Sequence, residues 1–143
     1  MPAPKLRKTE LSLPGPLPAR LEHLAPLLVR LLLPGLQRAP LLLTVRGRQG
    51  RLWELGDAPF PDDVVRTLLQ GEPPQAMAFA FVCDVPEGLD AERCITVAIE
   101  STAGRADVLV ALGGSRPRTF LREAEGETNR WLGVPPSAEV DVW

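Results

Sequence analysis

Read for the spacing of its apolar residues, the chain is helical in its first third and stranded in its second half. Leu17, Leu21, Leu24, Leu28 and Leu31 recur at intervals of four and three, which places them on one helical face. Arg20, His23, Leu27 and Arg30 fall on another. Pro18 suits the first turn of this helix and Pro34-Gly35 ends it. Pro26 has no amide to donate to the carbonyl of Glu22, so a kink or a break into two short helices is expected. A second, short helix is predicted from PFPDDVVRTLLQG: Pro61 starts it, Asp62 and Asp63 occupy the first turn where the helix dipole favours anions, and Gly71 stops it.

Elsewhere the period is two. Leu41 to Val45 and Leu52 to Leu55 are β-type runs joined by glycine and polar residues, the mark of a hairpin. Its register is open between a two-residue turn at Gln49-Gly50 and a longer loop from Gly47 to Gly50. Pairing Val45 with Leu52 favours the longer loop, and either choice leaves Arg48 and Gln49 at the tip. In AMAFAFVCDV, Met77, Phe79, Phe81 and Cys83 alternate with Ala76, Ala78 and Ala80, so one face fills a core and the other admits a closely packed helix. CITVAIES sets Ile95, Val97 and Ile99 against Thr96, Ala98 and Glu100, and ADVLVALGG returns as Val108, Val110 and Leu112 after a turn over Thr102 to Arg105. Connections this short require an antiparallel meander.

The ends are weaker. Residues 1–16 hold Pro2, Pro4, Pro14, Gly15 and Pro16 and read as a flexible or extended leader, from which Leu11 and Leu13 can be pinned to a sheet edge. A short strand is expected around Thr119 to Glu123, then a turn or helical piece ending at Trp131. Residues 134–143, PPSAEVDVW after Val134, form an extended tail; Trp131 and Trp143 are expected to dock, in an interface or on the domain's own core, because large aromatics gain about 2 kcal/mol or more on burial. The reading is thus a leader (1–16), one α+β domain (17–133) and a tail (134–143). The domain is an antiparallel sheet of about five strands with an N-terminal helix and a short second helix packed on it. The order helix, two strands, helix, three strands is similar to that of roadblock and longin type domains. That resemblance of topology implies a small scaffold that binds partners, often as a dimer.

Composition narrows the class. A chain of 143 residues can bury roughly 70% of its unfolded surface without staples. Two cysteines, Cys83 and Cys94, are far from the dense framework of a small secreted domain, so a reduced thiol pair in the cytoplasm is expected. MPAPKLRK is not followed by the uninterrupted apolar run of a signal peptide, and the run from Leu24, broken by Pro26, Arg30 and Pro34, falls short of a membrane span. Net charge is −2, but residues 1–71 carry +4 and residues 72–143 carry −6. No five like charges are contiguous, which favours complementary surfaces over a dedicated basic field.

Candidate chemistry is sparse. The single histidine, His23, has no identifiable nucleophile and orienting partner, and GGSRPR lacks the second glycine of a nucleophile elbow. Asp62 and Asp63 are adjacent and diverge around a helix. Three Cys and His residues in total cannot make a four-ligand zinc site, and DVPEGLD lacks the order of a calcium loop. Gly113-Gly114 beside Arg116 and Arg118 reads as a turn. No catalytic residue, metal or small-molecule cofactor is therefore predicted. The remaining constellation is LTVRGRQGRLWEL, where Arg46, Arg48 and Arg51 with Trp53 offer phosphate contacts and a stacking surface for nucleic acid, or a basic face for an acidic protein. Against nucleic acid stands a sequence pI of about 5.5; basic residues also guard sheet edges. The expectation is a small cytoplasmic, bacterial interaction or accessory protein without catalysis, with another protein chain, or further copies of itself, as partner. A nucleic-acid-binding accessory using the hairpin, and an enzyme subunit whose site another chain completes, are the alternatives.

Overall fold

The computed structural model describes residues 7–56, 61–71, 74–113 and 116–123. Along the chain these form β1 (Arg7–Ser12), α1 (Leu21–Leu32), a 3-10 segment (Leu33–Arg38), β2 (Leu41–Arg46), β3 (Gln49–Glu54), α2 (Pro61–Gly71), β4 (Ala76–Cys83), β5 (Arg93–Ser101), β6 (Gly104–Leu112) and β7 (Arg118–Glu123). The strands make one sheet in the order β1-β3-β2-β4-β5-β6-β7, and each neighbouring pair is antiparallel. The architecture is α+β, as the patterning predicts, but the sheet has seven strands and not about five. One edge is β1, from within the proline-rich start, and the other is β7, the short strand expected around Thr119 to Glu123.

Alternation divides the sheet into two packed faces. Leu41, Leu43 and Val45 of β2, Ala76, Ala78 and Ala80 of β4, Ile95, Val97 and Ile99 of β5 and Val108 and Val110 of β6 are buried in one cluster with Leu24, Ala25, Leu28, Val29 and Leu32 of α1. Alanine on β4 leaves room for the helix, as the sequence pattern requires. The opposite face of the same strands supplies Leu42, Met77, Phe79 and Ala98, which pack with Val65 and Leu69 of α2. The chain makes two crossovers: β1 to β2 by way of α1, passing over β3, and β3 to β4 by way of α2, passing over β2. Both move the same way across the sheet but start from antiparallel strands. The right-handed rule for such connections therefore puts the helices on opposite faces.

Three local expectations are corrected. The first helix begins at Leu21 and not near Leu17, and it is one helix through Pro26 and not two short ones; burial of Leu24, Leu28, Val29 and Leu32 on the sheet, at about 1.5–3 kcal/mol each, outweighs one missing hydrogen bond. Its buried stripe also includes Ala25, Val29 and Leu32 in place of Leu31, which is half-buried. In the hairpin, Val45 pairs with Gly50, and Leu52 pairs with Leu43. The turn is the two residues Gly47-Arg48, with Gly47 at φ 61°, where only glycine enters without steric cost. Gln49 is accordingly the first residue of β3, and Arg48 alone of the predicted pair sits in the turn.

Gly113 closes β6 for a different reason. Its φ is 113°, and a Cβ there would lie 2.9 Å from the backbone nitrogen of Glu92, whose amide donates to the carbonyl of Leu112 at 2.9 Å.

Candidate functional site

Because side chains alternate, the two-residue turn places Arg46 opposite Gln49 and Thr44 opposite Arg51, all on the α2 face. Arg46, Gln49, Arg51, Thr44 and Pro74 line a shallow cleft of about 80 Å³. The structure thus brings two of the three predicted arginines together and separates the third. The guanidinium of Arg48 donates to the carbonyl of Pro14 at 3.0 Å, and the Arg48 carbonyl accepts from Leu13 at 2.8 Å. Arg48 therefore ties down the chain leaving β1 and helps bury Leu13. On the other side of the turn, the amide of Gly47 donates to the side-chain carbonyl of Gln75 at 2.9 Å.

Trp53 is also committed to the fold. It packs against the α2 cluster, the ammonium of Lys8 lies 5.5 Å from its ring centroid, and its indole nitrogen is buried. A base stacking on this ring would have to displace Lys8. Trp131 and Trp143, the predicted interface tail, lie outside the described residues.

Register determines which backbone groups of the edge remain for a partner. In an antiparallel pair the residues alternate between those that exchange hydrogen bonds and those that do not. The turn closes on Arg46 and Gln49 as a bonded pair, so Gln49, Arg51 and Trp53 direct their amides and carbonyls to β2, and Gly50, Leu52 and Glu54 direct theirs to β1. Their partners on β1 are Leu11, Thr9 and Arg7. Lys8, Glu10 and Ser12 consequently turn both backbone groups outward from the sheet. This row was not singled out in the sequence, where RKTELS has too few apolar residues to mark a strand.

A second feature overlooked in the sequence is a charged cluster under the α2 face. Glu100 is buried, and Arg105 lies across from it at 3.9 Å and 3.8 Å from Asp107. The period-two pattern sets Glu100 on the more polar side of its strand, with Thr96 and Ala98; it is buried because both faces of the sheet are covered, where an unpaired charge is costly. His23 is exposed, 3.7 Å from Glu22. Among the described residues no group of three or more His, Cys, Asp or Glu is placed to hold a metal ion, and no helix is long and apolar enough to cross a membrane. No family model, curated protein or solved structure matches the chain.

Proposed function

We propose that this is a small non-catalytic interaction or accessory protein that acts through protein–protein contacts. The observation that carries this reading is the outer edge of β1, where the alternate residues Lys8, Glu10 and Ser12 present ladder groups that no strand among the described residues pairs and that another strand can complete. Of the side chains considered for chemistry, Arg48 holds Pro14, Trp53 packs half-buried against the α2 cluster, and His23 is exposed beside Glu22.

One observation favours a second reading. Arg46 and Arg51 converge on one cleft with Gln49, an arrangement suited to a phosphate backbone. A thermal-shift panel with nucleotides, divalent metals and single- and double-stranded oligonucleotides, run beside native mass measurement, separates the two. Protein–protein contact predicts no shift with the small ligands or oligonucleotides and a native mass above the 15.6 kDa of one chain. Stoichiometric stabilisation by an oligonucleotide, weakened by salt and lost in an Arg46→Ser, Arg51→Ser double variant, replaces it with the second reading.

A further inference from the structure

We infer that the β1 edge pairs antiparallel with the β1 edge of a second copy of this chain, about a twofold axis through Thr9. This deepens the protein-contact reading and rests on it. An axis normal to the sheet keeps its faces in place, so only residues of the same parity can oppose one another across the new pair. With the axis at Thr9, Lys8 faces Glu10 of the partner subunit, and Glu10 faces Lys8 of the partner subunit. Both side chains belong to the α2 face, because Lys8 stands opposite Trp53 and Glu10 opposite Arg51. Both residues also direct their backbone groups outward, so each opposed pair exchanges two ladder hydrogen bonds as well as a charge contact.

The same residues select that register. Moving the axis by one position brings Lys8 against its own copy or Glu10 against its own copy, and like charges directly opposed are destabilising. Charges on an edge strand often serve to prevent pairing. Here Arg7 is held over its own sheet, its guanidinium 3.6 Å from Glu54, while Lys8, whose ammonium rests over Trp53 in the single chain, swings from that ring to Glu10 of the partner subunit when the edges pair. What the edge offers outward is one residue of each sign at a spacing of two, a pattern complementary to itself. The result is a continuous sheet running from the β7 of one subunit to the β7 of the other.

The test uses the full chain, with native mass spectrometry and sedimentation over a concentration series and melting temperature as a fold control. Wild type is expected to pass from monomer to dimer. Lys8→Glu and Glu10→Lys each place like charges across the axis and should raise the dimer dissociation constant by about tenfold or more. The double exchange K8E/E10K should restore dimer formation, and mixing the two single variants should give the mixed dimer in preference to either homodimer. Glu10→Pro removes an outward amide while leaving the ladder to β3 intact, and should give a folded monomer. A wild type that remains monomeric, or a dimer indifferent to all four variants, overturns the inference. The wider reading fails separately: a dimer that survives these changes but is lost with Phe120→Asp moves the contact to another surface, whereas a monomer that binds oligonucleotides removes both.

Discussion

Cys83 and Cys94 stand directly opposite one another across β4 and β5 on the α2 face, Cys94 buried and Cys83 half-buried, both as free thiols. The two-residue turn between β5 and β6 closes on Ser101 and Gly104, and counting back from it makes Cys94 a residue whose backbone bonds to β4. The cysteines are therefore a hydrogen-bonded pair, whose Cβ atoms lie at the wider end of the range for opposed residues, about 5.5 Å. A disulfide requires about 3.5–4.5 Å. We predict that both thiols remain free when the native protein is treated with diamide, and that a bond forms only once the strands are loosened by denaturant. Mass spectrometry after thiol blocking checks this; rapid bonding in the native state would contradict the register argument.

Burial pushes the Cys94 thiol above the ordinary range, the neighbouring Cys83 pushes it further, and Arg118 draws it back. The native state thus holds this proton to higher pH than the unfolded chain does. By linkage, stability is unaffected by Cys94 below the unfolded-state value and declines as pH rises beyond about 8.5. In an alkaline melting series Cys94→Ala should therefore decline less steeply than wild type, and Cys83 should react with alkylating agents faster than Cys94. Parallel slopes would remove Cys94 as the cause.

Arg48 differs from its two neighbours in sequence. Losing the bond to Pro14 is expected to cost about 1 kcal/mol or less, since the pair is exposed, and to loosen β1 first. Hydrogen exchange of Arg48→Ala should show lower protection at residues 7–13 with β4 to β6 unchanged. Uniform loss of protection would mean that β1 is integral to global unfolding.

Pro26 is exposed and lies inside α1. Pro26→Ala restores an amide for the carbonyl of Glu22 and removes a steric conflict worth about 3 kcal/mol in a helix interior, offset in part by the greater freedom of the unfolded chain. A net gain of about 1–2 kcal/mol follows, read as a higher melting temperature. By contrast, Leu28→Ala, at a fully buried position of the same helix, should lose about 2–5 kcal/mol.

What the sequence determined by itself is the kind of each strongly patterned element. The alternation in β4, β5 and β6 and the span of α2 were legible because side-chain period is a local property. The same parity made the shared face of Arg46 and Arg51 legible once the turn was placed. The tertiary structure decided the rest, because it depends on partners distant in the chain. Arg7–Ser12 is a strand only because β3 supplies its hydrogen bonds; Leu11 alone of its residues is even half-buried. Arg48 left the basic cluster because Pro14, 34 residues away, offered its carbonyl. The single helix through Pro26 was decided by the sheet beneath it, whose buried contact exceeds the local preference to break.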